Sequence, residues 1–278
     1  AQDVGIPEGV FNIITGDRET GAALVASPSV SMVSFTGSSL TGTKIMEASA
    51  PKLSQVALEL GGKSAMVIFE DTEIERAVEA TIKGCLTNGG QICTAHTRLI
   101  VQEGIKDDLL KKMKNVLEKI PYCRDPITER ERGDRAWETG LTDVIQPVVS
   151  ASQHEKILSF LNEVEAAGIE IYTGGGVPDP ANVEYSGGYF IQPTILTNVP
   201  RDSDAWQKEI FGPVLSVRSF ASEAEAVTEA NSTDFGLAST VMSSDPAKAM
   251  RVANRIRAGA VFATSTGEGL LAEHPAVS

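Results

Sequence analysis

Short apolar runs recur along the chain, each bounded by Gly, Pro, Ser or Asp: Met32 to Phe35, Gln55 to Leu60, Ala65 to Phe69, Arg98 to Val101, Ile169 to Tyr172, Val214 to Phe220, Ser239 to Met242 and Ala260 to Ala263. Runs of this length and punctuation predict β-strands. Ala65-Met66-Val67-Ile68-Phe69 has no polar alternation at all, the pattern of a strand covered on both faces, as in a parallel sheet. Between the runs lie segments with a 3.6-residue period. Ile74, Ala77, Val78, Ile82, Cys85 and Leu86 share one helical face, with Asp71 or Thr72 placed to cap it. Ile105, Leu109, Met113, Val116 and Ile120 form a second stripe, opposite lysines. Further helices are predicted at Gln153 to Ala167, Glu223 to Asn231 and Pro246 to Ala258. Strands alternating with helices define an α/β fold.

Two stretches break the pattern. Pro121 to Pro147 contains the mixed charge run Thr128 to Arg135 with no apolar period, and it reads as a surface insertion. Gly174 to Gly188 is rich in Gly and reads as a long turn.

Composition narrows the function classes. The chain has 278 residues and a formal net charge of −13, which argues against nucleic acid as a partner because phosphate neutralisation needs clustered Lys and Arg. No apolar run reaches the ~18 residues of a membrane span. Three cysteines do not make a disulfide framework, so a reducing, cytoplasmic setting is expected. The chain opens on Ala1 without an initiator Met and ends in a Pro-containing tail, so it is expected to be a piece of something longer.

Four segments carry candidate chemistry. In Asn88-Gly89-Gly90-Gln91-Ile92-Cys93, a cysteine follows a Gly-Gly pair at the end of an apolar helix, which suits a thiol presented on a turn. Read alone it is more simply a small packing residue. His96, three residues on, allows a Cys–His hydrolase reading, although a general base is usually remote in sequence from its nucleophile. Cys85, on an apolar helix face, reads as core, and the Cys and His spacings fit no metal site. In Leu58-Glu59-Leu60-Gly61-Gly62-Lys63 a glutamate ends a strand, where a carboxylate is costly unless solvated, held by backbone N–H groups, or used. Phe35-Thr36-Gly37-Ser38-Ser39 is a strand, a glycine turn and a helix start, an arrangement that leaves N–H groups free for an anion. Lys208-Glu209-Ile210-Phe211-Gly212-Pro213 places an acidic and an aromatic residue on a turn into a strand.

Together and in this order, the four segments resemble the aldehyde dehydrogenase superfamily. Pro7-Glu8-Gly9-Val10-Phe11-Asn12, Asp234-Phe235-Gly236-Leu237-Ala238 and Arg257-Ala258-Gly259-Ala260-Val261 match it too. The resemblance implies a parallel-sheet, Rossmann-like aldehyde dehydrogenase fold, with residues 1–61 the end of an NAD(P)-binding domain. Residues 62–278 would be the catalytic, thiol-bearing domain, with its surface insertion at 121–147. It implies that Cys93 is the nucleophile and Glu59 the base that activates the deacylating water. It also implies that Gly37, Ser38, Leu60, Glu209 and Phe211 bind the cofactor, NAD or NADP, with a small-molecule aldehyde as substrate and a homo-oligomer for the full-length protein. No metal is implied. A CoA-acylating semialdehyde dehydrogenase or acyl-phosphate reductase on the same scaffold is an alternative that Glu59 counts against, and a non-catalytic fragment is another.

The chain also departs from the family. The upstream Pro-Trp-Asn stretch, whose Asn donates to the oxyanion, and the Lys-Pro-Ser/Ala-Glu stretch that reads the adenosine ribose do not occur in it. From Ala263 onward it no longer follows the family pattern. Trp206, beside Ala205, is expected either at the surface or as an aromatic cradle for a cationic amine.

Overall fold

The computed structural model describes residues 2–123, 144–183, 187–264 and 270–273. The chain forms two compact units, residues 1–61 and 62–278.

In the first unit, α1 (Arg18–Ala26) starts at Asp17, whose side chain accepts the Glu19 N–H. It is followed by β1 (Met32–Thr36), α2 (Ser39–Ser49) and β2 (Gln55–Glu59). β1 and β2 pair in parallel, Met32 opposite Gln55 and Thr36 opposite Glu59, so α2 is the crossover of a βαβ unit. Both strands alternate between exposed and half-buried positions.

The second unit is built on an eight-stranded sheet. Its strands are β3 (Ala65–Ile68), β4 (Arg98–Gln102), β5 (Glu170–Thr173), β6 (Thr194–Thr197), β7 (Val214–Phe220), β8 (Ala238–Met242), β9 (Ala260–Thr264) and β10 (Leu270–Glu273). The spatial order is β10-β9-β8-β3-β4-β7-β6-β5. The two outermost pairs are antiparallel and every pair between them is parallel. All eight strand runs read from the sequence are strands. The Gln55 run stops at Glu59, and β6 and β10 are strands the sequence reading does not contain.

Helices cover both faces. α3 (Ile74–Leu86) and α4 (Lys106–Leu117) bury Ile82, Leu86, Leu109 and Met113 against Met66, Ile68, Leu99 and Val101. On the other face, α5 (Ala151–Ala166), α7 (Glu223–Ala230) and α8 (Pro246–Ala253) cover Ala65, Val67, Ile100 and Val241. Alternate residues of β3 and β4 therefore enter different cores, which explains runs without polar alternation. A one-turn helix, α6 (Asp204–Gln207), precedes β7.

Three local readings are corrected. α3 starts behind Glu73, because Asp71 is engaged elsewhere, accepting from Ser243 at 2.8 Å and from Lys248 at 3.0 Å. α8 ends at Ala253 rather than Ala258, since the Asn231 side chain captures the Arg255 carbonyl and the Arg257 N–H and so draws the chain out of the helix. Trp206 is neither at the surface nor a cradle for a ligand. It is wholly buried, donates from Nε1 to Ser232 at 2.7 Å, and has the guanidinium groups of Arg98 and Arg218 at 5.0 and 5.6 Å from its ring. Those arginines already supply the cations. The body of the Pro121 to Pro147 stretch, residues 124–143, lies outside the described residues, but its ends are joined. Cys123 N–H donates to Ile145 O and Ile145 N–H to Pro121 O, both at 2.8 Å. Among the described residues no helix is long and apolar enough to cross a membrane.

Candidate active site

In the first unit the candidate residues cluster where β1 and β2 end. Gly37 N–H donates to Glu59 O at 3.0 Å, extending the strand pairing to the point where both chains turn away. Ser38 is the N-cap of α2, its Oγ accepting the Thr41 N–H at 3.3 Å. The remaining N–H groups of that first turn have no carbonyl within the helix to bond. Gly42, one turn along, lies so close to Leu60 that a Cβ there would stand 2.7 Å from Leu60 Cδ2. A small residue that lets a helix close on its strand, behind an open helix start, fits the pyrophosphate side of a dinucleotide. The Glu59 side chain is exposed, so solvation meets the cost of its charge.

In the second unit the candidate segments come together at the amino ends of adjacent strands. Gly61-Gly62-Lys63 leads into β3, Cys93 stands on the turn into β4, and Glu209-Ile210-Phe211 precedes β7; β3, β4 and β7 are neighbours. Ligands of open α/β sheets ordinarily sit at the carboxyl ends of strands. The sequence could not show that this cluster lies at the opposite end.

Close backbone approach holds the cluster together. A Cβ on Gly62 would lie 2.1 Å from Cys93 O, and one on Gly90 would lie 2.3 Å from Gly212 O. Gly62 N–H donates to Glu209 Oε1 at 3.1 Å. The Gly62, Cys93 and Glu209 segments thus touch through positions where only hydrogen fits. The turn before Cys93 is also unusual, with Asn88, Gly89 and Gly90 all left-handed, at φ 55°, 64° and 73°. Asn88 and Gln91 bond each other's carbonyls, and Gln91 Oε1 accepts the Val149 N–H at 2.9 Å. Phe211 is left-handed as well, at φ 59°, a conformation a bulky residue keeps only when its surroundings impose it. Gln153 on α5 does so, donating to Ile210 O at 3.1 Å and Phe211 O at 2.9 Å. Gln153 carried no signal in the sequence, being one polar position on an amphipathic helix.

Cys93 is half-buried, whereas Cys85 and Cys123 are buried. Burial pushes the Cys85 thiol up to about 12, with Lys63 opposing, which leaves it protonated and inert. The Lys63 amine is fully buried with no hydrogen-bond partner among the described residues, and burial, followed by the Arg98 charge, brings it down to about 7. Arg98 itself is satisfied, donating to Lys63 O at 2.7 Å, Glu229 O at 2.9 Å and Ala230 O at 2.8 Å. His96 does not serve as a base for Cys93: its Nε2 is 2.9 Å from Thr240 Oγ1, its Nδ1 side lies against Gly84, and burial pulls it down to about 4. Among the described residues no group of three His, Cys, Asp or Glu side chains is placed to hold a metal ion.

The profile of the aldehyde dehydrogenase family matches residues 1–274, so the family match continues past Ala263, contrary to the departure expected there from the sequence. The chain is 42% identical over 262 residues to the peroxisomal aminoaldehyde dehydrogenase 2 of Pisum sativum, covering 94% of this chain and 49% of that one. It is 41% identical over 265 residues to the chloroplastic betaine aldehyde dehydrogenase of Beta vulgaris, again 94% against 49%. Among solved structures, betaine aldehyde dehydrogenase from Staphylococcus aureus in complex with NAD+ superposes with a TM-score of 0.84 at 35% identity, covering 94% of this chain and 49% of that one. The chain therefore spans about half the length of the curated relatives it matches. With a family profile that matches residues 1–274 and a solved structure that superposes on it at a TM-score of 0.84, the chain belongs to the aldehyde dehydrogenase family.

Proposed function

We propose that the protein oxidises an aldehyde to a carboxylic acid through Cys93, with NAD(P) as the acceptor. On this reading residues 1–61 contribute to the cofactor site and residues 62–278 carry the nucleophile. The observation that carries it is the glycine-mediated junction of the Gly62, Cys93 and Glu209 segments, which sets the turn bearing the half-buried Cys93 against the strand entry whose Gly62 N–H anchors the Glu209 carboxylate. The Cys93 thiolate adds to the aldehyde carbon, and backbone N–H donors hold the resulting oxyanion. Bound NAD(P) would supply the hydride acceptor, with Gly37 and Ser38 on its pyrophosphate side, Leu60 beside the nicotinamide and Glu209 and Phe211 at the ribose. Collapse of the oxyanion leaves a thioester on Cys93. Glu59 takes a proton from water, the hydroxyl attacks the thioester carbon, and the acid leaves as the thiolate is restored.

The relatives named as betaine aldehyde and aminoaldehyde dehydrogenases support an aldehyde bearing a cationic nitrogen as substrate. The test is NADH formation with betaine aldehyde, an ω-aminoaldehyde and a neutral aldehyde of equal length. Cys93→Ala abolishes turnover. Glu59→Gln gives a burst of about one NADH per site and then stalls, the sign of acylation without deacylation. Turnover that survives Cys93→Ala, or an unchanged steady state in Glu59→Gln, overturns the assignment. Free acid formed without added CoA or phosphate separates this reading from an acyl-transferring dehydrogenase.

A further inference from the structure

The segment that joins Cys93 to β4 is tied down at one residue with no place in the mechanism above. His96 N–H donates to Gly84 O on α3 at 2.9 Å. The His96 ring crosses to β8, its Nε2 standing 2.9 Å from Thr240 Oγ1. Between these contacts the Nδ1 side of the ring lies against α3: a Cβ on Gly84 would be 3.0 Å from His96 Nδ1, 3.2 Å from Cβ and 3.3 Å from Cγ. Glycine inside a helix costs about 1 kcal/mol relative to alanine, so its position beneath the ring needs a reason. The ring supplies one, because a methyl group there would force it back by a few tenths of an ångström. The intervening backbone has little slack. Ala95 N–H donates to Ile92 O and Thr97 N–H to Ala95 O, both at 2.9 Å, so a displacement of His96 is passed through two tight turns to Cys93.

We propose that His96 is a positioning residue for Cys93, pinning the thiol-bearing turn to α3 through its backbone and to β8 through the Thr240 hydroxyl. The partners on α3 and β8 are a glycine and a threonine, neither of which titrates, and burial alone sets the state of the ring. The imidazole is therefore neutral across the physiological range and acts as a strut. The inference rests on the reading of Cys93 as the nucleophile, and its test separates the two.

The experiment compares His96→Ala, Thr240→Val, the double variant and His96→Gln in the protein, by hydrogen exchange and by steady-state kinetics. Faster amide exchange in residues 92–97, with the middle of α3 and β8 unchanged, is expected in both single variants. The expected kinetics are a loss of kcat of about tenfold with KM for the aldehyde held within about threefold, since the nucleophile moves while the substrate pocket does not. The double variant is no worse than either single one, because both remove the same strut. His96→Gln, which can still reach Thr240, recovers most of the rate. Unchanged exchange in 92–97 overturns the tether, and faster exchange with full kcat, or losses that multiply in the double variant, overturns the positioning role. If Cys93→Ala retains turnover, the nucleophile assignment fails, and the proposed positioning role fails with it, although the exchange data would still report the tether.

Discussion

Substituting Gly90 by alanine loads two separate costs onto the turn that carries Cys93. The residue is left-handed at φ 73°, which costs an L-residue about 1–2 kcal/mol. The added methyl would also stand 2.3 Å from Gly212 O, 2.4 Å from Gly212 C and 2.9 Å from Pro213 N, against ordinary contact at 3.4 Å and beyond. Those are backbone atoms and cannot rotate away, so the two turns must separate by about 1 Å, an overpacking cost of about 1–3 kcal/mol. The total is about 2–5 kcal/mol. Gly168→Ala is the matched control: its φ is 76°, yet among the described residues nothing lies within 4 Å of the new methyl, so only the backbone cost of about 1–2 kcal/mol remains. Urea midpoints of both variants give the stabilities, and aldehyde turnover gives the site geometry. Gly90→Ala should lose roughly 100-fold in kcat, the scale of a 1 Å misplacement of reacting groups, while Gly168→Ala keeps it. Equal destabilisation in the two variants, or full turnover in Gly90→Ala, would refute the packing argument.

The buried amine of Lys63 makes stability depend on pH. Its folded-state value of about 7 lies below the ~10.4 of an unfolded lysine, so between those values the unfolded chain holds more protons and stability rises with pH. Lys63→Met removes the penalty: at pH 7 the variant should be about 1–4 kcal/mol more stable, with the gap narrowing by pH 10. Denaturant midpoints at the two pH values check this, and a gap of the same size at both contradicts it. Trp206→Phe should reduce stability by about 1–3 kcal/mol through the lost volume and the lost bond to Ser232, with the KM ratio of cationic to neutral aldehydes unchanged. A selective rise in KM for the cationic substrate would return Trp206 to the substrate pocket.

The α/β character, the eight strand runs and the amphipathic faces of α3 and α4 were legible in the sequence, apart from Val116, which was read into the α4 stripe and is exposed, because they depend on local periodicity and on which side chains avoid water. The candidate residues were legible too, through short motifs whose residue types match a chemistry. Other features were not. β6 has only two apolar residues, Ile195 and Leu196, between threonines and directly behind Pro193, so it leaves no apolar run to read. The sequence marks Trp206 as an aromatic beside charged residues, but only the fold brings Arg98 and Arg218 over its ring from β4 and β7. Gly62, Gly84 and Gly90 are visible as glycines, yet their reasons lie in Cys93 O, the His96 ring and Gly212 O, which in two of the three cases are more than 30 residues away or on another strand's entry loop. A chain's periodicity reports the contact of each residue with water. The placement of one backbone against another depends on how strands order themselves in the sheet, and that order is set only when the whole core closes.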